Sequence, residues 1–173
     1  ACEKGQQWTL ALELLSEMRR RDLEPNVITY NAVVSACEKG LEWECVLGIL
    51  DEMHLVRLDP DIITHSAAMS ALEKGQQWAI ALSLLSDTRE RNLEPNIITV
   101  NSAISACEKG QHWELALVLL NDVHQAKLEP TLITYSAVMH ACGQCRQWEF
   151  TLGLLDDMPK RAVEPSLVNY NLA

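Results

Sequence analysis

The strongest constraint on this chain is a period. The stretch Pro25-Asn26-Val27-Ile28-Thr29-Tyr30-Asn31 returns in near copies beginning at Pro60, Pro95, Pro130 and Pro165, each 35 residues after the last. Trp8, Trp43, Trp78, Trp113 and Trp148 keep the same step and are all the tryptophans present. Two unrelated residue types sharing one period over the whole length leave little room for chance, and periods of about 20 to 50 residues are the mark of stacked supersecondary units.

In such an array each unit contacts mainly its neighbours, so length counts repeats instead of domains. Counted from Val27, four complete units span residues 27–61, 62–96, 97–131 and 132–166. Residues 1–26 form the back of an earlier unit, and 167–173 open a later one. The chain starts without methionine and stops in mid-unit, which reads as a segment of a longer protein.

The second half of each unit predicts an amphipathic helix, B. Its stripes are Trp8, Ala11, Leu12, Leu15, Met18; Trp43, Val46, Leu47, Leu50, Met53; Trp78, Ala81, Leu82, Leu85; Trp113, Ala116, Leu117, Leu120, Val123; and Trp148, Thr151, Leu152, Leu155, Met158. Each should run for about 15 residues and stop before the repeat proline, with Pro159 ending or kinking the last copy early. The first half predicts a shorter helix, A, with the stripe Tyr30, Val33, Val34, Cys37 and its copies His65, Ala68, Met69, Leu72; Val100, Ala103, Ile104, Cys107; and Tyr135, Val138, Met139, Cys142. Asn26, Asp61, Asn96, Thr131 and Ser166 precede the A helices and are N-capping types. Gly5, Gly40, Gly75 and Gly110 follow them, where a left-handed C-terminal residue is wanted. Cys145 breaks that column, so the fourth A helix is expected to end differently. A loop of about two residues makes A and B an antiparallel hairpin. Stacked hairpins give an all-α, right-handed superhelical solenoid, A helices on one face and B helices on the other.

Composition narrows the function. Apolar residues make up 48% of the chain, enough for a continuous core, yet no apolar run nears the roughly 18 residues that span a bilayer, so no membrane insertion is expected. Cys2, Cys37, Cys107 and Cys142 share a column with Leu72, which makes it a core column of free thiols in a reducing compartment. Cys142 and Cys145 form one C-x-x-C, by itself a weak metal or redox signal. The five histidines fall in different columns, which argues against a shared metal site. With no Gly-rich phosphate loop, zinc signature or nucleophile beside a base, neither catalysis nor a cofactor is expected. The tryptophans could serve as stacking platforms, but each opens a B helix on its apolar stripe, which favours core packing.

The informative residues are those an A helix leaves outside. In the first complete unit these are Ile28, Asn31, Ser35 and Glu38, spaced to share one face. Their equivalents are Ile63, Ser66, Ser70, Glu73; Ile98, Asn101, Ser105, Glu108; and Ile133, Ser136, His140, Gly143. A row of Asn or Ser side chains, each flanked by aliphatics from successive units, has the chemistry to hold a planar base and read its edge.

On the motifs VITYNAVVSACEKG, W-x-x-x-L-x-x-L and L-x-P-[DN], the chain resembles the pentatricopeptide repeat family over its whole length, in the class built from uniform 35-residue units. The tetratricopeptide repeat has a 34-residue period and lacks the T-Y-N opening. The resemblance implies binding of single-stranded RNA, one base per unit, read by the fifth and last residues of the unit. The pairs are Asn31 with Asp61, Ser66 with Asn96, Asn101 with Thr131, and Ser136 with Ser166; Asn26 and Asn171 are halves of pairs whose partners lie outside the chain. The family's rules read the first pair as U, the second as A, the third as a pyrimidine and the fourth as a purine. Ile28, Ile63, Ile98, Ile133 and Val168 match the column that clamps bases, and Lys39, Lys74 and Lys109 match a basic column near phosphates. The implied setting is organellar, in chloroplast or mitochondrion, with roles in transcript stabilisation, processing or translation.

The departures from the family pattern concern charge. Gln144 replaces the lysine in the fourth unit, and the column before the repeat proline is acidic throughout: Glu24, Asp59, Glu94, Glu129 and Glu164. With 24 acidic against 14 basic residues the net charge is -10. Phosphate neutralisation dominates nucleic-acid affinity, so binding by four units should be weak and salt-sensitive. The charge also keeps open a helical scaffold that binds a protein partner within a larger assembly. A third reading, a recently duplicated or decayed array with little binding of its own, draws on the near identity of residues 3–16 and 73–86.

Overall fold

The computed structural model describes residues 7–173, so Cys2 and Gly5 lie outside the described residues. Ten α-helices and no strand occur among them. The A helices are α2 (Val27–Gly40), α4 (Ile62–Lys74), α6 (Ile97–Lys109), α8 (Leu132–Gln144) and the short α10 (Leu167–Leu172). The B helices are α1 (Gln7–Arg20), α3 (Trp43–Leu55), α5 (Trp78–Glu90), α7 (Trp113–Gln125) and α9 (Trp148–Lys160). Successive A helices begin 35 residues apart, and each hairpin closes through two or three residues.

Local chemistry sets the helix starts. Asn26, Asp61, Asn96 and Thr131 are extended N-cap residues whose side-chain oxygens accept the N–H three residues on, from Thr29, Thr64, Thr99 and Thr134. Such a cap is worth about 1 kcal/mol over alanine. At Ser166 the side chain of Asn169 instead reaches back to the Ser166 N–H, at 2.9 Å.

The predicted A stripes form the core: Tyr30, Val34, Cys37, Met69, Leu72, Ile104, Cys107, Tyr135, Met139 and Cys142 are almost wholly enclosed. Burial raises the thiols of Cys37, Cys107 and Cys142 to about 11, as suits apolar packing and not redox chemistry. On the B helices, Val46, Ala81 and Ala116 are buried along with Leu50, Leu85 and Leu120. Ile49, Leu119 and Leu154, outside the predicted stripe, are buried too, because a B helix touches the A helix of the next pair as well as its own.

That packing curves the array. Each A helix lies directly against the next one, α2 on α4, α4 on α6, α6 on α8 and α8 on α10. Among the described residues no two B helices approach within 8 Å at Cα. The closer-spaced A helices therefore form the inner, concave layer.

Several expectations are corrected. Among the described residues no glycine has positive φ; the left-handed residue is the one after that column, Leu41, Gln76, Gln111 or Arg146. The glycine column has a steric reason instead. A Cβ on Gly40 would stand 2.5 Å from Trp8 Cδ1, and one on Gly110 2.7 Å from Trp78 Cδ1, so each indole occupies the space beside the glycine of the next pair. Most tryptophans are thus half-buried seam residues, and Trp148 is exposed. Helix α8 ends at Gln144, in the same column as Lys74 and Lys109, although Cys145 stands in the glycine position. Trp113 there packs on Phe150, with ring centroids 5.1 Å apart. Pro159 does not shorten α9, which ends at Lys160, level with Leu55, Glu90 and Gln125. It falls in the last turn: the Leu155 carbonyl loses its i+4 donor, but only Lys160 of the helix follows, so no longer run of helix is interrupted. The B helices are 13 or 14 residues long, against the 15 expected.

Candidate functional site

The concave face is built from two columns that meet across each seam. The fifth residue of one A helix points at the N-cap residue of the next, and a buried threonine three residues into that next helix ties them. In the first seam, Asn31 Nδ2 donates to both carboxylate oxygens of Asp61 at 3.2 Å. The Thr64 hydroxyl lies against Asn31 Oδ1 and 2.9 Å from Asp61 Oδ1, while accepting the Asp61 N–H at 3.2 Å. Burial pushes the Asp61 carboxyl up, but hydrogen bonds from Thr64, Asn31 and the Ile63 N–H outweigh it and hold the group below its ordinary value. This seam offers an ionised, acceptor-only edge.

The second seam has the opposite polarity. Asn96 Oδ1 is taken up by the Thr99 N–H at 2.9 Å and the Thr99 hydroxyl at 3.1 Å, which leaves its Nδ2 as the outward donor, 3.5 Å from Ser66 Oγ. Ser66 donates its proton to the Ile62 carbonyl at 2.7 Å and lies 2.8 Å from Thr99 Oγ1. In the third seam Thr134 donates to Asn101 Oδ1 at 2.7 Å, so the amide Nδ2 of Asn101 is the available donor beside Thr131. In the fourth, Asn169 takes the threonine's place. Its Nδ2 donates to Ser136 Oγ at 3.0 Å and its Oδ1 accepts from Ser166 Oγ at 2.7 Å. Ser136 keeps a proton to give, and Ser166 presents lone pairs.

All four residue pairs named from the sequence are therefore brought together. Asn26 caps α2 at one end of the row, and Asn171 is exposed on α10 at the other. Ile28, Ile63, Ile98, Ile133 and Val168 stand beside the pairs with 59 to 77% of their surface exposed, a high value for aliphatics repeated in register. The tying column, Thr64, Thr99, Thr134 and Asn169, is fully buried and was missed by the sequence reading. Its signal was present in the recurring Thr29, Thr64, Thr99 and Thr134.

The basic column is already engaged. Lys74 Nζ lies 2.7 Å from Glu38 and Lys109 Nζ 2.5 Å from Glu73, each glutamate coming from the preceding A helix and not from the lysine's own neighbour. Ser70 and Ser105 donate to the same oxygens at 2.9 and 3.1 Å. At the next step Glu108 meets His140 Nδ1 at 2.7 Å, with Gln144 beside it. Lys39 is exposed. The A helices α2, α4, α6 and α8 together carry three glutamates and three lysines, so the acidic excess lies on the B helices and connecting loops.

At the last seam the face deepens into an open concavity of about 470 Å³ lined by Asn101, Ile133, Ser136, His140, Ser166 and Val168, among others. That is the size range of small-ligand sites. Among the described residues no group of three or more His, Cys, Asp or Glu side chains is placed to hold a metal ion, and no helix is long and apolar enough to cross a membrane.

Stacked antiparallel hairpins with a polar, aliphatic-flanked concave row define an α-solenoid of the helical-repeat class. A model described as the pentatricopeptide repeat domain matches residues 13–74 and 83–145, and a second, the PPR repeat, matches residues 133–163. The chain belongs to the pentatricopeptide repeat family. No curated protein matches it. Among solved structures it is similar to the pentatricopeptide repeat protein PPR10, from maize, in complex with an 18-nt psaJ RNA element: 26% identity, TM-score 0.67, over 95% of this chain and 28% of that one. This chain thus spans under a third of PPR10's length. The PPR domain of Arabidopsis thaliana protein-only RNase P 1, in complex with tRNA, superposes with TM-score 0.84 at 14% identity, over 98% of this chain and 89% of that one. Nuclear proteinaceous RNase P 2 from A. thaliana gives 0.85 at 12%, over 99% and 39%. At these last identities the likeness is one of fold.

Proposed function

We propose that the concave face binds single-stranded RNA, one nucleotide per 35-residue unit, with units 27–61, 62–96, 97–131 and 132–166 each supplying one reader pair. The observation that carries this reading is the pairing of each fifth-column residue with the next N-cap between two exposed aliphatics. A base slotted between Ile28 and Ile63 would present its edge to Asn31 and Asp61, and likewise along the row. The acceptor edge of Asp61 suits the N3–H of uracil, and the donor edge of Asn96 suits N1 of adenine. The mixed edges of Asn101 with Thr131 and of Ser136 with Ser166 agree with a pyrimidine and a purine. Lys39, Lys74 and Lys109 are the lysines of the A layer among the described residues and would meet phosphates. PPR10's complex with an RNA element supports the ligand class. An organellar role in transcript processing, stabilisation or translation belongs to the same proposal.

Fluorescence anisotropy of short labelled RNAs tests it. Cores U-A-C-A and U-A-U-A should bind more tightly than scrambled ones, and Asn31→Ala or Ser66→Ala should abolish the preference. Binding that ignores base order would sink the reading, and no binding at low salt would turn attention to a protein partner.

A further inference from the structure

A polyanion laid along the A helices can reach few cations, because every arginine, together with Lys127 and Lys160, lies on the B helices or the connections. The concave lysines are therefore the side chains on which phosphate neutralisation must depend, and two of them are held by carboxylates. Lys74 is bound to Glu38 at 2.7 Å, and Lys109 to Glu73 at 2.5 Å and to the Glu73 carbonyl at 3.2 Å. The glutamates are fixed in place: their side chains are only 18% exposed, and each accepts a second bond from Ser70 or Ser105 of the next helix. The lysines, about one-third exposed, are the mobile partners.

We infer that Glu38 and Glu73 are built-in competitors for the RNA backbone. This inference rests on the RNA reading above. A phosphate arriving at Lys74 or Lys109 must displace or share a carboxylate that is already seated, so binding is an exchange of one anion for another. The exchange releases fewer counterions than contact with an unpaired lysine. Affinity is thereby set low at every seam that has the pair, while base discrimination, which belongs to the reader pairs on the outer part of the same face, is left untouched. Specificity is favoured over strength, since a backbone that binds weakly leaves the base edges to decide.

The test replaces carboxylate by amide. Glu38→Gln with Glu73→Gln keeps the size and the acceptor that Ser70 and Ser105 use, but frees both lysines. Titrated by anisotropy against the U-A-C-A RNA from 50 to 300 mM salt, a series of about this range, the double variant should bind on the order of 10-fold tighter at low salt, with a log–log salt slope steeper by about 1.4, some 0.7 per released lysine. The ratio of matched to scrambled RNA should stay the same. Each single variant should give about half the change on a logarithmic scale. Glu13→Gln with Asp51→Asn, exposed positions on B helices, removes the same charge away from the A layer and controls for net charge. If the concave variant binds no tighter than this control while the wild type binds matched RNA, the inference fails and the RNA reading stands. If no variant binds RNA at any salt, both fail together.

Discussion

Gly110→Ala separates two accounts of the glycine column. If the column served backbone conformation, alanine would be costly wherever it was placed. The observed φ of -81° is open to alanine, which on that ground alone should stabilise by about 0.4–1 kcal/mol through the unfolded state. The side-chain environment says otherwise. A Cβ at Gly110 would lie 2.7 Å from Trp78 Cδ1, 2.9 Å from Cγ and 3.0 Å from His112 Cδ2, well inside carbon contact distance. The ring has little room to retreat, since its centroid is 3.8 Å from that of His112. Overpacking of this kind costs about 1–3 kcal/mol, so the net loss should be about 1–2 kcal/mol, read by urea unfolding with unchanged m. In a Trp78→Leu background the obstacle is gone, and the same alanine should be neutral or stabilising. A cost that is equal in both backgrounds would refute the ring contact as the cause, and stabilisation of the otherwise native chain would refute the clash itself.

His65 is buried with its Nδ1 2.8 Å from Thr88 Oγ1, and its pKa is lowered, by burial first and then by Arg91 and His54, so the folded state favours the neutral ring. The unfolded chain then takes up the proton first: stability is intact above the unfolded histidine value of about 6.5 and is lost as pH falls below it toward the lowered folded value. His65→Tyr, the residue type at Tyr30 and Tyr135, should gain in melting temperature over the wild type as pH goes from about 7.5 to 5, and parallel pH profiles would rule this out. Thr99→Val removes a buried hydroxyl shared by Ser66 and Asn96. It should cost about 1 kcal/mol in urea unfolding and reduce discrimination at the second base, with affinity for scrambled RNA unchanged; undiminished discrimination would show that Thr99 does not position the pair.

Much of this was legible because stacking converts sequence period directly into spatial register. The stripe Tyr30, Val33, Val34, Cys37 and its copies needed only helical spacing to be placed in the core, and the N-caps needed only residue type. The fifth-residue and N-cap pairs come together because residues 30 apart in sequence are neighbours once hairpins stack. What escaped the sequence were relations between unlike columns. Gly40 and Gly110 look like helix-end glycines in one dimension, and the indole that requires them belongs to the preceding pair. Glu38 stands next to Lys39 in sequence but bonds to Lys74, 36 residues on, because adjacent helical residues diverge while stacked A helices bring residues about one period apart together. Thr64 reads as an ordinary first-turn residue until the fifth residue of the previous A helix is set against it. Pro159, expected to end its helix early, stands one residue before an end that falls in the same column as in the other B helices, so it has almost no helix left to shorten.

The central claim is that each seam presents a hydrogen-bonding edge whose polarity selects a base, and Asn96→Asp tests it most directly. Aspartate retains the capping oxygen used by Thr99 but turns the outward group of the second seam from donor to acceptor, like Asp61 in the first. Measured against four RNAs that differ only at the second core position, the preference should move from A to bases carrying a ring N–H, G or U. A preference that stays on A, or that vanishes without a gain elsewhere, would contradict the account.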